Sequence, residues 1–308
     1  MIKILSYAAA VLVPVFFVGI SLKYTTHDYF SNKSVLIAQP ILPGAAKAIS
    51  TLDNGETINL NKETADALQT REGTNIQIDS TTLNYQLAQS TSVSPKPVYN
   101  KVEIPRGGEY ALVLSDGTKV HLNSMSSLRF PVAFTTGKRE VELQGEAYFE
   151  VSKTGQPFIV NANGIQVEVL GTTFNISAYP DEEYQTTLVN GSVKVSAEKG
   201  ESLILKPSQQ ATIALGSNSI QVRTVDTSFY TSWVKGKINF KDQRLEDIMK
   251  TLSRWYDMNV VYENEKLKNI RFGCNLNRYE EITPFVKLLE KTEEVHVKIE
   301  GNTITFHN

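Results

Sequence analysis

The feature that most constrains this chain is a two-residue alternation of apolar and polar side chains between residues 112 and 179. The alternation recurs in short runs, separated by turn-forming pairs such as Asp116-Gly117 and Asn163-Gly164. A period of two places successive side chains on opposite faces of a strand, and Asp-Gly and Asn-Gly supply the positive φ angles of tight hairpin turns. Short strands joined by such turns predict an all-β sandwich, barrel or solenoid.

The same pattern extends in both directions and predicts a β domain over residues 48–228. Upstream, LDNGETINLN at 52–61 is echoed by LSDGTKVHLN at 114–123, which indicates two similar β units. Downstream, the alternation continues through residues 182–226. Two copies are too few for a repeat protein, so a sandwich and a solenoid-like fold both stay open.

The pattern changes near residue 229, where residues 229–308 predict a smaller α+β module. Apolar residues three and four positions apart, including Leu245, Met249 and Trp255, predict an amphipathic helix with Asp242 as its N-cap. Short strands follow in MNVVYE and IRFGCNLN.

Thr283-Pro284 then predicts a second helix, with Thr283 as its N-cap and proline in the first turn. VHVKIE and TITF predict a closing hairpin. The expected order is β-α-β-β-α-β-β, which resembles the short secretin/TonB N-terminal fold, and we refer to it as STN-like.

Residues 4–22 contain no charged side chain. A helix of this length is about 30 Å long and matches the core of a bilayer. The stretch lacks an amphipathic face, is long for a signal peptide and is followed by no clean A-x-A site, so we expect an uncleaved transmembrane helix. Residues 1–3 are then a cytoplasmic stub, residues 23–47 a periplasmic linker, and the bulk of the chain periplasmic, with the inner membrane as anchor.

Composition argues against several classes of function. The 31 basic and 33 acidic residues nearly cancel, and no basic stripe with interleaved aromatics appears, so nucleic acid is not an expected partner. The four histidines are scattered and Cys274 is the only cysteine, so we expect no internal disulfide, metal site or cofactor.

Enzymatic motifs are weak. Ser232-x-x-Lys235 fits part of a penicillin-binding pattern, but Ser232 is expected in an extended segment and the Lys153-Thr154-Gly155 motif precedes it, which reverses the enzyme order. A carboxylate pair could hydrolyse glycosides, but the spacing along one strand predicts solvated side chains for Glu142, Glu146 and Glu150. An enzyme is therefore not expected.

Five stretches in series resemble the periplasmic domain of FecR-type anti-sigma regulators, particularly their Bacteroidetes branch: LSDGTKVHLN, REVELQGEAYFEV, PFIV, VEVLGTTFNISAY and TTLVNGSVKV. The resemblance covers roughly residues 100–306 and includes the C-terminal module. It implies a membrane-anchored regulator that relays a signal from a TonB-dependent outer-membrane transducer to an extracytoplasmic-function (ECF) sigma factor by protein–protein binding. Family members usually carry a sigma-binding cytoplasmic domain before the membrane helix, so a sigma factor is an expected partner only if that domain is missing from this chain.

In this family the C-terminal module receives the periplasmic signal, so the resemblance places partner binding there. The expected contact residues are Trp233, Trp255, Tyr256, Thr303, Ile304, Thr305 and Phe306. The last four form the TITF strand, which we expect to offer an open sheet edge to a partner strand. The alternative is a membrane-anchored, periplasmic glycan-binding or adhesion module, which requires an aromatic platform on a concave face within residues 40–228.

Overall fold

The computed structural model describes residues 40–60, 75–79, 81–87, 97–135, 137–198 and 200–308. The predicted membrane helix at residues 4–22 and most of the predicted linker lie outside these ranges. Within the described residues, no helix is both long enough and apolar enough to cross a bilayer. Residues 39–308 form one compact unit, to which the following description applies.

The strands of this unit are β1 (Ala45–Ala46), β2 (Ile49–Thr51), β3 (Thr57–Asn59), β4 (Asn75–Ile78), β5 (Thr82–Leu87), β6 (Tyr99–Glu103), β7 (Gly108–Val113), β8 (Lys119–Leu122), β9 (Ser127–Pro131), β10 (Arg139–Glu150), β11 (Phe158–Ala162), β12 (Ile165–Val169), β13 (Thr173–Ala178), β14 (Tyr184–Asn190), β15 (Val193–Ser196), β16 (Ser202–Leu205), β17 (Gln209–Ile213), β18 (Gln221–Thr224), β19 (Lys237–Arg244), β20 (Asn259–Tyr262), β21 (Arg271–Asn277), β22 (His296–Glu300) and β23 (Thr303–His307). The α-helices are α1 (Ser228–Thr231), α2 (Leu245–Trp255) and α3 (Thr283–Glu290), and 3-10 helices span Ser232–Lys235 and Glu265–Asn269.

The first eighteen strands form two sheets that share one apolar core. The first sheet runs β3-β2-β6-β9-β10-β11-β12-β15-β16. The second runs β4-β5-β7-β8-β10-β13-β14-β17-β18. Phe149 in the second sheet lies 6.2 Å from Phe158 in the first, ring centre to ring centre. The predicted mainly β fold is confirmed: it is a sandwich whose chain passes repeatedly between the two sheets, as in a solenoid.

Strand β10 belongs to both sheets. Its residues up to Gln144 pair with β9 and β11 in the first sheet, and those from Gly145 onward pair with β8 and β13 in the second. Gly145 has a φ of +85°, and a Cβ there would lie 2.7 Å from the Cα of Ser126. Only glycine combines that backbone angle with so close a neighbour. Gly145 therefore lets one strand pass from one sheet to the other.

The C-terminal module has the β-α-β-β-α-β-β order that the sequence predicts. Strands β19 and β21 pair in an antiparallel ribbon, and β20, β23 and β22 form a second sheet in that order. Helix α2 buries Leu245, Ile248, Met249, Leu252 and Trp255, the apolar stripe expected from the spacing.

Three details of the predicted module are wrong. The N-cap of α2 is Arg244, because Asp242 lies in a bulge of β19 with a φ of 49°. Helix α3 is capped by Ile282 rather than Thr283. Ser232 begins a 3-10 helix instead of lying in an extended segment, since the aromatic residues around it turn back onto the sandwich.

The predicted open edge at TITF is also wrong. Strand β23, which contains Thr303–Phe306, is central: it pairs in parallel with β20 and antiparallel with β22. Both of its edges are therefore occupied. The edges of this three-stranded sheet belong to β20 and β22.

Candidate partner-binding site

Arg278 in the C-terminal module reaches into the sandwich. Its side chain is 2% exposed, and Nε lies 3.2 Å from Oε2 of Glu109 on β7. Nη2 donates a 2.6 Å hydrogen bond to Oδ1 of Asn123, which follows β8. Burial lowers the pKa of Arg278, while the carboxylates of Glu109 and Glu146 oppose that shift. The charge is thus held by groups of the other module.

Two tryptophans flank the Arg278 guanidinium. Its carbon lies 3.8 Å from the ring centre of Trp255 and 5.4 Å from that of Trp233. Trp255 donates from Nε1 to the carbonyl of Arg278 at 2.6 Å. A Cβ on Gly44 would meet the Trp255 ring at 2.7 Å, so the segment before β1 also packs tightly against this ring. The tryptophans therefore form part of the contact between the modules.

A second contact joins the β6–β7 turn to the end of α2. Arg106 Nη2 donates to the carbonyls of Ser253 at 3.0 Å and Met258 at 2.7 Å, and Nε donates to Asp257 at 3.0 Å. The amide of Gly107 donates to the carbonyl of Arg254 at 2.8 Å. Carbonyls at a helix end lack partners within the helix, so Arg106 and Gly107 satisfy groups that would otherwise need water.

A third contact uses Arg254 on α2. Nη1 donates to Glu182, and the guanidinium lies 3.9 Å from the ring centre of Tyr179. Desolvation opposes the charge on Arg254, but Tyr179 and Glu182 outweigh it, so its pKa is raised. Three arginines, Arg106, Arg254 and Arg278, thus tie the two modules together.

Glu146 lies on β10 beside these contacts. Asn123 donates to its Oε2 at 2.7 Å, and Asn175 donates to its Oε1 at 2.9 Å. Trp233 in turn donates from Nε1 to Oδ1 of Asn175 at 3.2 Å. Desolvation raises the pKa of Glu146 despite these hydrogen bonds.

The solvated side chain expected for Glu146 is therefore wrong, because the C-terminal module covers it. The other two glutamates of that expectation, Glu142 and Glu150, are exposed.

A groove of about 680 Å³ runs between the sandwich and the module. We call it the inter-module groove. The sandwich wall includes Asn175, Asp181, Glu182, Glu183 and Gln185, and the module wall includes every residue of β19 together with Lys250 and Arg254. Carboxylates thus predominate on one wall and cations on the other.

The predicted contact residues separate into two places. Trp233, Trp255 and Tyr256 are 7%, 1% and 5% exposed and lie at the junction of the modules. Tyr256 donates to the carbonyl of Glu280 at 2.8 Å, and burial raises its pKa to about 12. Residues Thr303–Phe306 lie in the three-stranded sheet, where Ile304 and Phe306 are fully buried. Phe306 stacks on Tyr262, with the ring centres 5.2 Å apart.

Sequence reasoning missed the polar residues of the junction: Arg106, Glu109, Asn123, Asn175, Glu182, Arg254 and Arg278. Each lies on a strand, in a turn or at a helix end, where a polar side chain normally indicates solvent. Their partners are distant in sequence, with Arg278 and Asn123 separated by 155 positions. The one usable signal was the pair of tryptophans, since Arg is their frequent stacking partner.

Comparison with known proteins places both modules in one family. The family described as FecR protein matches residues 100–194, and the one described as FecR, C-terminal, matches residues 237–306. Comparison with curated proteins gives no match.

Two crystal structures of a provisionally assigned anti-sigma factor from Parabacteroides distasonis are similar in fold. They are 26% and 25% identical to this chain, with TM-scores of 0.62 and 0.63. The similarity covers 68% of this chain and 98% and 99% of theirs. The matches take in strands from both sheets of the sandwich and nearly the whole C-terminal module, and this chain belongs to the FecR family of regulators.

Proposed function

We propose that this chain is a membrane-anchored, periplasmic regulator of the anti-sigma type. It receives a signal from a TonB-dependent outer-membrane transducer and passes it toward an ECF sigma factor by protein–protein binding. Membership of the FecR family and the similarity to an anti-sigma factor support regulation through binding. The finer parts, which are the transducer, the membrane anchor and the periplasmic location, are our proposal.

The observation that carries the proposal is the buried tie between the modules. A relay must convert binding at one module into a change felt by the other. Separating the modules would expose Arg278 and leave the carboxylate of Glu109 without its ion-pair partner. Breaking a buried charge pair costs about 3–5 kcal/mol, so a partner that binds the C-terminal module acts on the sandwich as well.

The membrane anchor is supported by sequence alone. Residues 4–22 carry no charge and are long enough to span a bilayer as a helix. We expect the chain to remain in the membrane fraction after carbonate washing. A protease added to spheroplasts should digest the sandwich, since we place it outside the inner membrane. Recovery of the chain in the soluble fraction would contradict the anchor.

The binding test uses the full chain purified in mild detergent. It is immobilised and exposed in turn to the purified periplasmic signalling domains of the TonB-dependent transducers of the same organism. We expect saturable binding to one domain and none to the others. A chain with wild-type tryptophan fluorescence that binds none of the domains would contradict the proposed relay.

A further inference from the structure

Strand β19 has only one strand neighbour among the described residues. It pairs with β21 from Lys237 to Arg244, and no strand pairs with its other edge. Successive side chains of a strand point to opposite faces, so a cavity that lies against one face touches alternate residues. All eight residues of β19 line the inter-module groove. The groove therefore runs along the free edge of β19.

The hydrogen-bond pattern shows which backbone groups face the groove. The amide of Arg278 donates to the carbonyl of Gly236 at 2.9 Å, so this pair is a hydrogen-bonded pair of the ribbon. Hydrogen-bonded and non-hydrogen-bonded pairs alternate in an antiparallel ladder. Ile238 and Phe240 therefore bond to β21, whereas the amides and carbonyls of Lys237 and Asn239 point into the groove.

Side chains along this edge define what could fill it. Lys237 and Lys241 are exposed and make no salt bridge in the described part of the chain, although Lys241 is close enough to Asp226 to lower the pKa of that carboxyl. Asn239 lies between them, and its buried Oδ1 accepts no hydrogen bond. On the other face, Ile238 and Phe240 are 5% and 7% exposed.

We propose that the inter-module groove binds an extended segment of a partner protein, which adds to β19 as a third strand of the β19–β21 ribbon. Its backbone pairs with Lys237 and Asn239. Cross-strand neighbours lie about 4.5–5.5 Å apart at Cβ, so acidic side chains four positions apart face Lys237 and Lys241. A hydroxyl or amide between them donates to Asn239 Oδ1, and β-branched apolar residues occupy the alternate positions beside Ile238 and Phe240.

The far wall of the groove restricts the segment further. Asp181 and Glu183 are exposed carboxylates there, with no salt bridge among the residues described. They repel acidic residues elsewhere in the segment, so the pattern acidic–apolar–Thr–apolar–acidic is favoured over a run of acids. The inference rests on the proposed function, since it specifies how a protein partner is held.

The probe is a fluorescent synthetic peptide of sequence Ser-Glu-Val-Thr-Val-Glu-Ser, with blocked ends, titrated into the full chain in detergent and followed by anisotropy. The comparison peptide replaces both Glu by Lys. We expect the acidic peptide to bind. The double variant Lys237→Glu/Lys241→Glu should bind it about tenfold more weakly and should prefer the lysine peptide. The matched control Lys266→Glu/Lys287→Glu changes two exposed lysines outside the groove and should bind like wild type.

A second variant tests the backbone. Asn239→Pro removes an amide that faces the groove and leaves the bonds to β21 intact, since proline is tolerated at an outward-facing edge position. It should abolish peptide binding while the fluorescence of Trp233 and Trp255 shows that the module is folded. If Asn239→Pro disrupts that fluorescence, the lysine double variant decides.

Equal binding of both peptides, or of the acidic peptide to wild type and the lysine double variant, would overturn the proposal. Binding of a transducer domain without binding of the acidic peptide would overturn it and leave the proposed function intact. Concentration-dependent dimerisation that Asn239→Pro abolishes would assign the groove to a second copy of this chain and would also overturn it. Failure of both peptide and transducer domains would count against the proposed function as well.

Discussion

Replacing Arg278 by alanine tests the tie between the modules most sharply. The substitution removes the ion pair with Glu109, the hydrogen bond to Asn123 and the stacking on Trp255. Breaking a buried charge pair costs about 3–5 kcal/mol, and the remaining carboxylate of Glu109 is partly exposed, which places the loss at the lower end. The lost contact with Trp255 adds about 1 kcal/mol. We expect a destabilisation of roughly 4 kcal/mol.

The assay is urea unfolding followed by tryptophan fluorescence. Trp233 and Trp255 are the chain's two tryptophans, and both flank Arg278, so the signal reports this junction. With a denaturant slope of about 3 kcal/mol per M, the midpoint should fall by about 1.3 M. Emission of the folded variant should shift to longer wavelength as water reaches the rings. Arg278→Lys should lie between the two, because lysine keeps the charge but not the planar fork.

The matched control is Arg129→Ala. Arg129 pairs with Glu142 at 2.9 Å, but the two side chains are 42% and 59% exposed. An exposed pair contributes about 0–1 kcal/mol, so its midpoint should move little. If Arg278→Ala shifts the midpoint no more than Arg129→Ala and leaves the emission unchanged, the buried tie does not hold the modules together and our reasoning is refuted.

Three further predictions concern single residues. The raised pKa of Glu146 means that the folded chain holds its proton more tightly than the unfolded chain. The resulting stability is fully present below the unfolded pKa of about 4.3 and is lost as pH rises through the higher folded pKa; Glu146→Gln should lack this slope when urea midpoints are compared across pH, and equal slopes would contradict it. Gly145→Ala should destabilise the sandwich by more than the about 1–2 kcal/mol that a left-handed backbone costs, because its Cβ meets Ser126, whereas Gly155→Ala, with a φ of +82° and open space, should show the backbone cost alone; equal thermal shifts would argue against the clash. Arg106→Ala should cost about 1–3 kcal/mol, since it leaves the carbonyls of Ser253 and Met258 without a protein donor, and faster hydrogen exchange at the end of α2 is the measurement; unchanged exchange would exclude this role.

Local patterns explain what the sequence could predict. Alternation of apolar residues identifies strands such as β12 because it depends only on neighbouring positions. The helical spacing from Leu245 to Trp255 identifies α2 for the same reason. Both modules, and the order of elements in the second, were therefore predictable.

The pairing of strands and the junction of the modules were not predictable in this way. Whether β23 is an edge or a central strand depends on where β20 docks, and those two strands are separated by more than forty residues. Asp242 reads as a helix cap, but a bulge with positive φ displaces it. Arg278 lies in a polar turn and gains its partners only when the two modules meet, so its sequence neighbourhood resembles that of any solvated arginine.

The central claim is that this chain regulates a sigma factor through protein contacts. The most direct test is RNA sequencing of the host with the gene deleted, and with the deletion complemented by the wild-type gene or by Arg278→Ala. We expect the deletion to change one set of transcripts that share a single ECF sigma-factor promoter. The wild-type gene should restore that set, and the Arg278→Ala variant should restore it only in part. Unchanged transcription from every such promoter, with the chain present at normal levels in the wild type, would contradict the account.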